Sequence, residues 1–108
     1  MGSPEVELQW WEGCPSTERA RDELREVLDG LGLDGVEIRM SEVADDDEAR
    51  AMHFPGSPTI LIDGRDVVTP NPEEPIGLTC RVYRRRDGKV SPTPDPADVR
   101  DAIQEVIR

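Results

Sequence analysis

The chain has 108 residues, of which 35% are hydrophobic and 34% are charged, and its formal net charge is −11. This length fits one domain with one modest core, so we expect residues 1–108 to form a single domain. Nucleic acids and anionic membranes attract basic surfaces, and the strong negative charge argues against both as partners. The N-terminus lacks a cationic and apolar leader, and no apolar run reaches transmembrane length. We therefore expect a cytoplasmic protein.

The first segment predicts a strand that leads into a helix. Val6, Leu8 and Trp10 alternate with polar residues, which is the period of a half-buried strand. Gly13 supplies a turn, and Pro15 is expected at the first helical position, where its missing N–H costs no hydrogen bond. The apolar spacing then changes to that of one helix face, formed by Ala20, Leu24, Val27, Leu28 and Leu31.

This arrangement places Cys14 at the N-terminus of the predicted helix. The unpaired backbone N–H groups and the positive end of the helix dipole favour a thiolate there. Because the thiolate is the nucleophilic form of cysteine, the sequence predicts a reactive thiol at Cys14. The alternative is an inert and buried cysteine, which is the common fate of a free cysteine.

The middle of the chain predicts a strand, a short helix and a hairpin. Residues 36–40 alternate again, so strand, helix and strand are expected to form a right-handed βαβ unit with parallel strands. Three aspartates at 45–47 open a short helix whose predicted apolar face consists of Ala49, Met52 and Phe54. Residues 59–62 read as a buried strand. The turn signal at 63–64 predicts that residues 66–68 return antiparallel to it.

The C-terminal third predicts a variable segment, residues 69–90, and a final helix. Prolines and glutamates make residues 69–79 a long loop, and residues 81–84 are a candidate additional edge strand. Asp95 has the chemistry of a helix N-cap, with Pro96 at the first helical position. The buried stripe of this helix is predicted to be Val99, Ala102, Ile103, Val106 and Ile107.

The predicted order of elements resembles the thioredoxin fold, an α/β fold in which helices flank a central mixed sheet. Two motifs carry the resemblance. Cys14-Pro15-Ser16-Thr17 at the strand-to-helix turn is similar to the glutaredoxin motif, with Thr17 in place of its second cysteine. Ser57-Pro58-Thr59 directly precedes the third strand. In thioredoxins and glutaredoxins the corresponding proline is cis and lies against the nucleophilic cysteine, so the resemblance implies a cis Ser57–Pro58 bond.

The resemblance implies thiol–disulfide exchange at Cys14, in which a thiolate attacks a disulfide sulfur. Trp11, Pro15, Ser57 and Pro58 are expected to shape the substrate groove. The expected partner is a small thiol or a protein disulfide. Apart from glutathione or another low-molecular-weight thiol, neither a cofactor nor a metal ion is expected.

Two mechanisms stay open because Thr17 replaces the second cysteine. Cys14 can act alone through a mixed disulfide with a small thiol, as monothiol glutaredoxins do. Alternatively, Cys80 resolves that disulfide, since the loop before it begins at the sheet edge where Cys14 is expected; this requires Cα atoms within about 7 Å of each other. Otherwise Cys80 is a packed small residue. Thr17 is expected to hydrogen-bond either the Cys14 sulfur or a backbone group.

Two other functional classes stay open. One is a non-catalytic binding module that keeps the fold and presents the groove around Trp11 and Pro58 to a partner protein. The other is a protein that handles soft metals or organomercurials, because residues 77–83 are similar to sequences labelled as alkylmercury lyases. That family uses a Cys-x-x-Asp motif and a second, downstream cysteine. Here Thr17 stands where an aspartate would protonate the carbon leaving group.

Overall fold

The computed structural model describes residues 3–70, 72–73 and 75–107. The chain has a mixed α/β architecture, which agrees with the predicted fold class at that level. The elements in chain order are β1 (Val6–Trp10), α1 (Thr17–Gly30), β2 (Ile38–Glu42), α2 (Asp46–Met52), β3 (Thr59–Ile62), β4 (Arg65–Asp66), β5 (Tyr83–Arg84), β6 (Val90–Ser91) and α3 (Pro96–Ile107). In the described part of the chain, no helix is long and apolar enough to cross a membrane.

Four strands form a mixed sheet in the order β2-β1-β3-β4. β1 pairs in parallel with β2, with Val6 opposite Ile38, so the predicted strand–helix–strand unit with parallel strands is confirmed. β3 runs antiparallel to β1, with Leu8 opposite Ile60. β4 returns antiparallel to β3 after a turn at 63–64. The return strand occupies Arg65–Asp66 rather than the predicted residues 66–68.

The chain has two apolar clusters. Alternate residues of β1 and β3 pack with α1 and α3 in the larger cluster, which contains Val6, Leu8, Ala20, Leu24, Val27, Leu28, Ile60, Ile62, Val99 and Ile103. A smaller cluster contains Val43, Ala49 and Phe54. Trp10 packs against the larger cluster and Trp11 against the smaller one, because neighbouring residues of an extended chain point to opposite faces. The end of β1 is thus fixed by contacts with both clusters.

Two predicted core positions are wrong. Met52 is 37% exposed at the end of α2, and Val106 is 38% exposed near the end of α3. Both lie in the last turn of a helix; in α3 the next residue, Ile107, packs against the larger cluster instead. The N-terminus of α3 agrees with the prediction: Asp95 accepts a hydrogen bond from the backbone N–H of Ala97 at 2.9 Å, and Pro96 is the first helical residue.

The predicted additional edge strand is also wrong. β5 does not extend the four-stranded sheet but pairs with β6 as a separate two-stranded ribbon, with Tyr83 opposite Ser91. The segment just before β5 instead contacts the start of β3, where Cys80 forms an isolated parallel bridge with Ser57. This contact brings the variable segment to the same end of the sheet as the β1–α1 turn.

Candidate functional site

Cys14 lies in the turn between β1 and α1 and is only 8% exposed. Its backbone N–H donates to the carbonyl of Trp11 at 3.0 Å, which closes the turn. α1 begins at Thr17 with Ser16 as its N-cap, so the prediction that Pro15 is the first helical residue is wrong. Pro15 lies in the turn instead. Cys14 therefore lies farther from the helix end than the sequence suggested, and the acceptor for its thiol comes from another element.

That element is the segment before β3. The Ser57–Pro58 peptide bond is cis, as the resemblance implied, and both residues are buried. The Cys14 thiol donates a hydrogen bond to the Ser57 carbonyl, with 3.5 Å between sulfur and oxygen. The backbone N–H of Trp11 donates to the Ser57 hydroxyl at 3.3 Å. Ser57 therefore ties the turn that carries Cys14 to the cis-proline.

Cys80 reaches the same point from the variable segment. The Ser57 N–H donates to the carbonyl of Thr79, and the Arg81 N–H donates to the carbonyl of Ser57, each at 2.8 Å. Partial burial, the charge of Cys14 and a hydrogen bond with Cys14 all raise the pKa of the Cys80 thiol. Ser57 therefore adjoins both cysteines, through the thiol of Cys14 and through the backbone bridge with Cys80, while the two sulfur atoms are not at disulfide distance. Both are free thiols: Cys14 is buried and Cys80 is exposed.

Two residues of the motif have roles that its pattern did not specify. The Thr17 hydroxyl donates to the Cys14 carbonyl at 3.5 Å. Of the two predicted partners of Thr17, the backbone group and not the Cys14 sulfur is the one it contacts. Gly13 lies under the indole ring of Trp11. A Cβ atom at Gly13 would lie only 2.0 Å from Cη2 of Trp11, so the ring occupies the space that any side chain at position 13 would need. The half-buried Trp11 ring therefore covers the turn beside Cys14.

A buried polar network behind Pro58 was missed by the sequence reasoning. The Tyr83 hydroxyl donates to the Pro58 carbonyl, and burial raises the pKa of this phenol above its ordinary value. Tyr83 therefore keeps its proton, and with it the hydrogen bond, at neutral pH. The guanidinium carbon of Arg81 lies 4.6 Å from the centre of the Tyr83 ring. This network supports the cis-proline from the side opposite Cys14.

Arg81 is the centre of that network. Its side chain is 2% exposed, and its Nη1 lies 2.7 Å from a carboxylate oxygen of Asp66. The guanidinium also donates to the Thr59 hydroxyl at 3.2 Å and to the Val68 carbonyl at 2.9 Å. The backbone of Arg81 comes within 3.1 Å of where a Cβ atom of Gly56 would lie, at a φ of +122° that favours glycine. The one feature of the sequence that could have indicated this packing is the glycine before Ser57, because such a glycine is typical of a close approach between two backbone segments.

Comparison with known proteins adds no family assignment. No protein-family model matches the chain, and no curated protein matches it either. Among the described residues, no group of three or more His, Cys, Asp or Glu side chains is arranged to hold a metal ion. The two thiols and the cis-proline beside them therefore define the candidate site.

Proposed function

We propose that the protein is a thiol–disulfide oxidoreductase of the thioredoxin-like fold, in which Cys14 and Cys80 form the redox pair. The sheet order β2-β1-β3-β4 supports the fold, with α1 between the parallel strands and α3 packed beside it. One observation carries the function. Two cysteines that are distant in the sequence both lie beside Ser57, directly before the cis-proline: the Cys14 thiol donates to the Ser57 carbonyl, and Cys80 forms a backbone bridge with Ser57.

The surroundings of the two thiols assign them different roles. Partial burial, the charge of Cys14 and a hydrogen bond with Cys14 raise the pKa of Cys80, which favours the form in which Cys80 holds its proton. Cys14 is the cysteine whose thiol lies in the β1–α1 turn and contacts Ser57, directly before the cis-proline. We therefore assign the nucleophile to Cys14 and the resolving thiol to Cys80.

The reaction transfers two electrons from the dithiol to a substrate disulfide. The Cys14 thiolate attacks one substrate sulfur, a mixed disulfide forms, and the other substrate sulfur leaves as a thiolate that takes up a proton. The Cys80 thiol then loses its proton and attacks the Cys14 sulfur. An intramolecular disulfide forms and the second substrate thiol leaves. Because Cys80 is the exposed partner, it is the residue that moves to reach the S–S bond length of about 2.05 Å.

Single-cysteine variants test this assignment. The reduced parent, Cys80→Ser and Cys14→Ser are incubated with hydroxyethyl disulfide, and each product is followed by intact mass and peptide mapping. The parent is expected to lose two hydrogen atoms as the intramolecular bond forms. Cys80→Ser is expected to accumulate the mixed disulfide on Cys14, and Cys14→Ser to lose exchange. If Cys80→Ser turns over at the parent rate, Cys80 is not the resolving thiol.

A second candidate is soft-metal binding by the same two thiols. The observation in its favour is that both cysteines lie beside Ser57, because paired thiolates suit soft metal ions. The hydroxyl at Thr17 is bonded to a backbone carbonyl and offers no acid for carbon–metal cleavage, so only binding is considered. In this case one equivalent of the metal protects both thiols of the parent from alkylation, while the disulfide in the first experiment is left unreduced. A non-catalytic binding module would also leave the disulfide unreduced, but the metal would not protect its thiols.

A further inference from the structure

A groove of about 420 Å³ is lined in part by residues that neighbour the two cysteines in the sequence. Its apolar wall is formed by Trp11, Val43 and Leu78, and its polar wall by Glu12 and Glu42. We call this cavity the acidic groove. Trp11 presents an aromatic ring to it, and both glutamates are exposed at its edges. The acidic groove therefore combines an apolar wall with negative charge.

The residues that line the acidic groove adjoin both cysteines along the chain. Gly13, which also lines it, is the residue before Cys14, and Leu78 lies two residues before Cys80. The carbonyl of Trp11 holds the N–H of Cys14 at 3.0 Å. A substrate whose disulfide is attacked at Cys14 therefore has its neighbouring residues within reach of this groove.

The charge of the acidic groove is not neutralised by its surroundings. In the described part of the chain, neither Glu12 nor Glu42 takes part in an ion pair, and no lysine or arginine lines the cavity. A third carboxylate, that of Glu48, borders it by accepting the N–H of Ala44 at 3.1 Å. The chain as a whole carries a net charge of −11, so more distant charges add to the local negative potential.

We propose that the acidic groove selects peptide disulfides with cationic residues beside the cysteine, and that it disfavours anionic disulfides such as that of glutathione. The proposal rests on the proposed thiol–disulfide exchange and names its substrate class. A lysine or arginine would lay its aliphatic stem along Trp11 and place its charge near Glu12 and Glu42. An aromatic face also attracts such a cation. Opposite charge raises the rate of encounter, and salt screens this effect.

The test compares matched disulfides. The reduced protein is mixed with disulfide-linked dimers of one short peptide, in which the residues beside the cysteine are lysine, serine or glutamate. The same dimers are reduced by dithiothreitol under the same conditions, which gives their intrinsic reactivity. After this normalisation, we expect the lysine peptide to react about tenfold faster than the glutamate peptide at low ionic strength, with the difference shrinking at high salt.

Variants locate the effect. Glu12→Gln with Glu42→Gln is expected to remove most of the preference for the lysine peptide. Glu26→Gln with Glu37→Gln makes the same change in net charge at exposed positions outside the acidic groove, and it is expected to keep the preference. Equal loss in both double variants would mean that net charge, and not the groove, selects the substrate, and would overturn the proposal.

The serine peptide distinguishes a failure of the selectivity proposal from a failure of the proposed thiol–disulfide exchange. If the protein reduces the serine peptide but shows only the intrinsic lysine-to-glutamate ratio, the selectivity proposal fails and the proposed function stands. A preference for the glutamate peptide would also overturn the selectivity proposal. If no peptide is reduced, the proposed function fails, and the selectivity proposal fails with it.

Discussion

Replacement of Arg81 by leucine should destabilise the protein strongly. The guanidinium is 2% exposed, and it holds the Asp66 carboxylate, which is 12% exposed, at 2.7 Å. Arg81→Leu removes the cation that lies 2.7 Å from this buried carboxylate, and it removes the donor to the Val68 carbonyl. Removing one partner of a buried ion pair costs about 3–5 kcal/mol. Proteins of this size have a total stability of roughly 5–15 kcal/mol, so the loss is a large fraction of the whole.

Urea unfolding, followed by far-ultraviolet circular dichroism, measures the effect. For a slope of about 2 kcal/mol per molar urea, a loss of 4 kcal/mol lowers the midpoint by roughly 2 M. The matched control is Arg50→Leu, which removes an exposed ion pair with Asp47 and should cost less than about 1 kcal/mol. Similar losses in the two variants would show that the burial of Arg81 does not matter to stability.

The double variant Arg81→Leu with Asp66→Leu provides the sharper test. Replacing a whole buried ion pair by apolar residues is often neutral, because neither charge is then left without a partner. We expect the double variant to recover more than half of the stability lost in Arg81→Leu. Two residues in direct contact should show such coupling, whereas independent residues give additive losses. Simple additivity would refute the reasoning.

Two further predictions concern the thiol site. Gly13→Ala should lower the free energy of unfolding in urea by about 1–3 kcal/mol, because its Cβ would lie 2.0 Å from Cη2 of the Trp11 ring. The control is Gly35→Ala, where nothing lies within 4 Å, and it should change this free energy by less than about 1 kcal/mol. Equal effects of the two substitutions would contradict the clash with the ring. In Cys14→Ala, the alkylation of Cys80 by iodoacetamide should titrate at a lower pH than in the parent, because the charge and the hydrogen bond of Cys14 both raise the pKa of Cys80. The midpoint should still lie above that of a free thiol, because the effect of partial burial stays; a midpoint that does not fall would contradict the influence of Cys14 on the pKa of Cys80.

The sequence by itself determined the elements whose pattern is local. The alternation in β1 and β2 and the apolar face of α1 identify these elements, because burial on one face imposes a period of two on a strand and of 3.6 on a helix. The N-cap at Asp95 and the turn at 63–64 also depend only on neighbouring residues. Cys14, Ser57 and Pro58 were predicted as site residues because short motifs carry them. The start of α1 was placed too early, since Pro15 fits a turn as well as a first helical turn.

Only the tertiary structure decided how the variable segment is used. The pattern around residues 81–84 favoured an edge strand, yet Arg81 is 4% exposed while its apolar neighbour Val82 is 63% exposed. A charged residue takes the buried position because Asp66 and the Val68 carbonyl offset the loss of its hydration, and neither partner is near it in the sequence. The placement of Cys80 beside Ser57 has the same origin. It depends on a backbone bridge to Ser57 between segments that are distant in the chain, and local periodicity carries no information on such a pairing.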